Sequence, residues 1–137
     1  MDKLKVLHVI TMLELGGAQE NTLYTVANLD RKRYDVALAS GIGGVLDAKA
    51  KSIDNAEVMF VEDLVREINP VKDAVAFFKL KAIMKTGRYD IVHTHSSKAG
   101  IIGRFAARAA DVPLIVHTVH GFSFNDFISP VLKYVYV

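Results

Sequence analysis

Apolar residues in this chain fall into short runs rich in β-branched side chains, separated by stretches where they recur at helical spacing. Residues 5–10 are the first run, followed by a loop and then Ala18, Leu23, Val26, Ala27 and Leu29, spaced as on one helix. Residues 34–40 repeat the run, Gly41, Gly43 and Gly44 break it, and residues 45–52 suit a short helix. A third, shorter run covers 57–61, and the mixed residues 63–69 read as irregular. Pro70 fits the first turn of a helix through Thr86, with Gly87 as its terminal glycine. Residues 89–94 form the fourth predicted strand.

Ser96 or Ser97 then offers an N-cap to a helix over 99–110, whose Gly100 and Gly103 allow close packing on a sheet. Asp111, Val112 and Pro113 close that helix, 114–118 make a fifth strand, and 121–125 read as a loop. Strands that are continuous apolar runs, alternating with helices, imply an α/β fold with a parallel sheet covered on both faces by right-handed crossovers. The simplest strand order is 3-2-1-4-5. Residues 1–128 form one Rossmann-like domain in this reading. Residues 129–137 begin a further apolar element that stops without a terminating signal, which suggests a fragment.

Composition narrows the function classes. The 137 residues include no cysteine, which excludes a cysteine-based zinc or redox site. Seventeen Lys plus Arg face 15 Asp plus Glu, and no basic run interleaves with aromatics, so nucleic-acid binding has no support. No apolar stretch approaches the roughly 18–20 residues of a membrane span, and no cleavage-site pattern follows the start, so the chain reads as cytosolic.

In sheets of this kind ligands lie beyond the carboxyl ends of the strands, at the switch point between strands 1 and 4. Gly16 and Gly17 fall there, between a strand and a helix, where glycine lets backbone approach a ligand and the helix start offers N–H groups to a phosphate. A plain tight turn explains them equally well. The spacing departs from the dinucleotide fingerprint, and strand 2 ends in Ala39, Ser40 and Gly41 without an acidic residue, which argues against a dehydrogenase.

Histidines 93, 95, 117 and 120 lie near the ends of strands 4 and 5, whereas His8 sits inside strand 1 and reads as structural. His93 and His95 share a face if the strand runs through both. His120, followed by glycine, is placed to reach into a cleft and to donate to an oxyanion or a sugar hydroxyl. A metal site at the His-x-His pair lacks carboxylates nearby and is not expected. Ser96 and Ser97 read as helix caps and not as nucleophiles, since no nucleophile elbow surrounds them. The helix opened by Pro70 carries Lys72, Lys79, Lys81 and Lys85 among Phe77, Phe78, Leu80, Ile83 and Met84. An ordinary surface helix with a buried stripe accounts for this pattern; attraction to anionic lipid headgroups is the functional alternative.

Four segments together are more specific. Gly16-Gly17-Ala18-Gln19 with Leu23 and Ala27, residues 89–95, residues 99–108 with Gly100, Gly103, Arg104 and Arg108, and residues 116–122 around His120 and Gly121 resemble, in order and spacing, the N-terminal domain of the family 4 retaining glycosyltransferases. The likeness runs from strand 1 to the His-Gly loop and is nearest to bacterial enzymes of capsule and exopolysaccharide synthesis.

The resemblance implies a two-domain GT-B enzyme of which this chain is the acceptor-side half, the donor-binding domain and its paired glutamates lying elsewhere. A nucleotide-sugar, expected to be a UDP-sugar, would give up its sugar with retention to a saccharide or polyprenyl-linked acceptor, at the inner face of the cell membrane. Gly16 and Gly17 would approach the donor diphosphate, and His120 would contact the transferred sugar as the catalytic residue. His95, Ser96, Ser97 and Lys98 would contact the acceptor. Such enzymes work without a metal or other cofactor, and the isolated chain would have little turnover. A stand-alone nucleotide- or phosphate-binding module is the rival expectation.

Overall fold

In a computed structural model of the chain, residues 2–120 are described. The predicted loop at 121–125 and the terminal element at 129–137 lie outside those residues. The elements are β1 (Leu4–Ile10), α1 (Gly17–Asn28), β2 (Tyr34–Ser40), α2 (Asp47–Lys51), β3 (Ala56–Phe60), α3 (Pro70–Gly87), β4 (Ile91–His95), α4 (Ser97–Ala109) and β5 (Leu114–Thr118). The five strands form one sheet in the order β3-β2-β1-β4-β5, every pairing parallel, as the alternation of strand and helix predicts.

Side chains alternate across the sheet and divide the core in two. Leu7 and Val9 of β1 pack with Leu80 and Met84 of α3 and Ala99, Ala106 and Ala107 of α4. Ile10 packs on the other side, with Leu23 and Val26 of α1 and Leu38 of β2. Leu7, Leu38 and Leu80 are fully enclosed, and each such side chain contributes about 1.5–3 kcal/mol by leaving water.

Two glycines of α4 set its distance from the sheet. A Cβ on Gly100 would stand 2.5 Å from Cε1 of His117, and one on Gly103 would stand 2.8 Å from Cγ2 of Thr94. Larger residues would lift the helix and loosen the core beneath it.

The end of α3 differs from expectation. Arg88, not Gly87, takes the left-handed conformation, at φ 52° and ψ 53°, and its N–H donates to the Met84 carbonyl. Gly87 is there for space, because a Cβ would meet the Tyr89 ring at 2.3 Å. The start of α3 follows the sequence, with Pro70 in the first turn and the Asn69 side chain accepting from the Lys72 N–H at 3.1 Å.

Candidate functional site

The carboxyl ends of β1, β4 and β5 lie side by side at the switch point, and the two helices that follow β1 and β4 begin there. α1 starts at Gly17, with Gly16 as N-cap in an extended conformation and no side chain capping its first turn. A Cβ on Gly17 would meet nothing within 4 Å. The first turn of α1 thus has no side-chain cap and is open at Gly17, while Gln19 Oε1 lies 2.7 Å from the Cβ position of Gly16; an uncapped helix start suits an anion.

The start of α4 is closed. Ser96, its N-cap, sits at φ 66° and ψ 160°, a region that side chains avoid at a cost of order 1–3 kcal/mol. The Ser96 hydroxyl does not cap its own helix. It lies 2.8 Å from the Thr11 hydroxyl and accepts from the Thr11 N–H at 3.3 Å. The Thr11 Oγ1 in turn accepts from the Ala99 N–H at 3.1 Å, so the cap of α4 comes from the end of β1. This pair of hydroxyls ties β1 to β4 and holds the strained turn.

Lys98 points away from the strand ends. Its ammonium pairs with Asp73 Oδ1 at 2.6 Å and donates to the Glu67 carbonyl, joining α4 to α3. Ser97, half-buried, is the first residue of α4.

The histidines form a connected group. β4 runs through His95, so His93 and His95 do share a face, with ring centroids 4.2 Å apart. His8 is paired with His93 in the sheet register and lies on that same face. His8 Nδ1 is 3.0 Å from His95 Nε2, and His95 Nδ1 is 3.0 Å from His120 Nε2. A line of three imidazoles thus leads from the core to an exposed histidine at the end of β5. His8 and His95 are each 1% exposed. His93 Nε2 is 2.6 Å from the Thr118 hydroxyl, and His117, on the opposite face, holds Nδ1 2.9 Å from the Thr94 hydroxyl.

Burial dominates the electrostatics of this group. Desolvation, helped by His93 and the charge of Arg31, lowers His8 to about 3. Desolvation lowers His95 to about 2, with His93, His8, His120 and His117 adding to it. Burial also lowers His93, with His117 and His120 contributing, and lowers His117, with Arg104 contributing. The two innermost rings are neutral at physiological pH.

Nitrogens of His8, His93 and His95 come within 4.8 Å of one another, close enough to be weighed as a metal site. No carboxylate is among the groups acting on these three rings, and the charge of Arg31 acting on His8 would oppose a dication. His8 and His95 are also already bonded to each other.

Of the residues singled out from sequence, Gly16, Gly17, Ser96, Ser97 and His120 gather at these strand ends. His95 is enclosed between His8 and His120, and Lys98 is occupied by Asp73 and Glu67. Sequence reasoning missed Thr11, and it took His8 as structural without linking it to His120. A polar side chain in an otherwise apolar buried strand needs a partner, and that was the signal present at His8.

Residues 15–136 match the family described as Glycosyltransferase Family 4. The chain is 41% identical over 134 residues to the UDP-Gal:alpha-D-GlcNAc-diphosphoundecaprenol alpha-1,3-galactosyltransferase of Escherichia coli, an alignment covering 98% of this chain and 34% of that protein. A glycosyltransferase from Rickettsia africae superposes with a TM-score of 0.72 at 22% identity, over 99% of this chain and 34% of that one. MurG of Acinetobacter baumannii superposes with a TM-score of 0.66 at 22% identity, over 87% of this chain and 37% of that one. The chain thus spans about a third of the length of these relatives. With a Rossmann-like parallel sheet shared with GT-B glycosyltransferases and a family match across most of its length, this chain belongs to Glycosyltransferase Family 4.

Proposed function

We propose that this chain is the acceptor-side domain of a two-domain GT-B glycosyltransferase that moves a sugar from a UDP-sugar to a lipid-linked or saccharide acceptor, with retention. The observation that carries this reading is the meeting of an uncapped helix start at Gly16 and Gly17 with an exposed His120 at the same edge of the sheet, in a member of this family. The α1 N-terminus stabilises diphosphate charge, and His120 contacts the transferred sugar as its bond to the diphosphate breaks. The leaving diphosphate takes the acceptor proton on the face of attack, so this half supplies no carboxylate nucleophile. The histidine group is set among cationic partners, which supports chemistry without a metal. The donor-binding domain with its glutamate pair belongs to another part of the enzyme, and this domain alone turns over little.

Ser96 and Ser97 stand nearest the acceptor in this reading. His95 moves from acceptor contact to support of His120, and Lys98 from acceptor contact to the α3–α4 junction, because their partners already enclose them.

The Escherichia coli relative makes UDP-galactose and a GlcNAc-diphosphoundecaprenol acceptor the first pair to try. The test is transfer of labelled galactose by the full-length enzyme into a solvent-extractable lipid. Binding of UDP with no transfer to any polyprenyl diphosphate sugar or saccharide would favour a non-catalytic binding module.

Association with an anionic membrane surface is part of the proposal, consistent with a cytoplasmic enzyme of exopolysaccharide or capsule synthesis. No helix among the described residues is long and apolar enough to cross a membrane. α3, however, is apolar on two sides. Ala76, Leu80 and Met84 face the core, while Val71 and Phe78, seven residues apart on one side of the helix, stand 74% and 64% exposed, and Ile68 just before the helix is exposed as well. Lys72 and Lys85 are exposed on the same helix. Insertion of this stripe with lysines at lipid phosphates suits an interfacial helix. Flotation with phosphatidylglycerol vesicles should carry the enzyme, and the Val71→Glu/Phe78→Glu variant should stay behind; equal recovery of both removes the membrane role of α3.

A further inference from the structure

We propose that His8 and His95 are positioning residues that hold His120 in its Nδ1–H tautomer, so that the histidine at the cleft is a hydrogen-bond donor. The catalytic consequence rests on the role assigned above to His120; the tautomer itself does not.

The argument is a count of protons. A neutral imidazole has one N–H and one lone pair, so a ring bonded through both nitrogens donates with one and accepts with the other. His95 is such a ring, with Nε2 toward His8 and Nδ1 toward His120. The two bonds must therefore run in the same direction. If they run inward, His95 Nε2–H donates to His8 Nδ1, and His8 carries its own proton on Nε2. If they run outward, His8 Nδ1–H donates to His95 Nε2, His95 Nδ1–H donates to His120 Nε2, and His120 carries its proton on Nδ1.

His8 Nε2 decides between them. It is buried and has no hydrogen-bond partner among the described residues. The inward direction would strand an N–H donor there, whereas the outward direction strands only a lone pair. Orphaned buried N–H groups are rarer and costlier than underused acceptors. The enclosure of His8 and His95 keeps both rings neutral, which is what makes the count apply.

The functional meaning follows from the end of the line. His120 cannot turn its N–H inward, because Nε2 is engaged as acceptor, so Nδ1–H is what it offers beyond the chain of histidines. A donor suits a sugar hydroxyl oxygen or a developing negative charge on the leaving group. In water a free histidine favours the opposite Nε2–H form, so the line of rings selects the less favoured tautomer before substrate arrives, and the site is preorganised.

The tautomer is read directly from two-bond proton–nitrogen correlation spectra of the 137-residue chain, labelled with nitrogen-15 at histidine, at about pH 8. All three rings should carry their proton on Nδ1. His95→Phe should return His120 to the Nε2–H form. His95→Asn, whose amide N–H can stand where Nδ1–H was, should keep His120 protonated on Nδ1. His120 protonated on Nε2 in the folded wild-type chain overturns the proposal without recourse to any variant, as do nitrogen shifts of a metal-bound imidazole at His8 or His95. In the full-length enzyme His95→Phe should lower kcat about tenfold while donor KM stays put, with partial rescue by Asn. If the spectra match but His120→Ala leaves turnover intact, the reading of the active site fails and the tautomer stands.

Discussion

Two helices begin a few residues past neighbouring strands at the same edge of the sheet, yet their first turns are built in opposite ways. α1 opens through Gly16 and Gly17 with no side-chain cap and with empty space where a Cβ on Gly17 would be. α4 opens through a strained Ser96, receives its cap from Thr11 of the adjoining loop, and is tied to α3 by the Lys98–Asp73 pair. One start is left unsatisfied and accessible, the condition for binding an anion; the other is closed and braced, the condition for holding β4 and its histidines still. A serine pair at a helix start looks more like a binding motif than two glycines do, but here Gly17 is open and the Ser96 hydroxyl is engaged by Thr11.

Four variants or conditions put this contrast to the test. The largest effect is expected beyond both helices: His120→Ala in the full-length enzyme should lower kcat by about 100-fold or more while UDP affinity changes little. Steady-state kinetics with calorimetric UDP binding checks it, and wild-type turnover removes the role of His120.

Thr11→Val should act on the closed start. It takes away the acceptor of the Ala99 N–H and the partner of the Ser96 hydroxyl, at about 2 kcal/mol of unfolding free energy. Denaturant titration measures this, with donor KM unchanged; an equally stable variant would mean that Ser96 holds its turn unaided. Gly17→Val is the complement. Its backbone is not left-handed and its surroundings are open, so strain is absent and the melting temperature should hold. Donor kcat/KM should still fall about tenfold by crowding the diphosphate, worth about 1.4 kcal/mol. Normal donor kinetics would show that no phosphate approaches α1.

The remaining test is in pH. His8 and His95 bind a proton less well folded than unfolded, with values lowered from 6.5 to about 3 and about 2. The unfolded chain therefore takes up more protons as pH drops below 6.5. Stability should be full above that value and decline toward the lowered ones, each buried ring costing up to about 1.4 kcal/mol per pH unit. Melting temperatures between about pH 7.5 and 4.5 follow the decline, and His8→Phe should flatten it by one proton.

Much of the architecture is legible in the residue pattern. The bounds of β2 and β5 and the strand order follow from short β-branched apolar runs broken by glycine and proline and alternating with helical segments. The ends of helices are less legible. Gly87 looks like a left-handed cap, but Tyr89 needs its bare face, and Arg88 takes the turn. α3 is the clearest failure of periodicity: its lysines suggest one polar face, whereas Val71 and Phe78 make a second apolar side. A stripe facing outward leaves the same mark in sequence as one facing the core.

By itself, then, the sequence determined an α/β chain with a parallel sheet, the strands that carry histidine, and a family whose segments it matches, since each of these depends on local pattern and spacing. Only the tertiary structure decided which histidines meet. His8 and His95 are 87 residues apart along the chain and 3.0 Å apart in space, and the direction of hydrogen bonding proposed for them hangs on one buried nitrogen without a partner among the described residues. Spacing along the chain says which side chains share a strand face; it does not say which atom of one meets which atom of another across a sheet, and it is at that scale that a proton is placed.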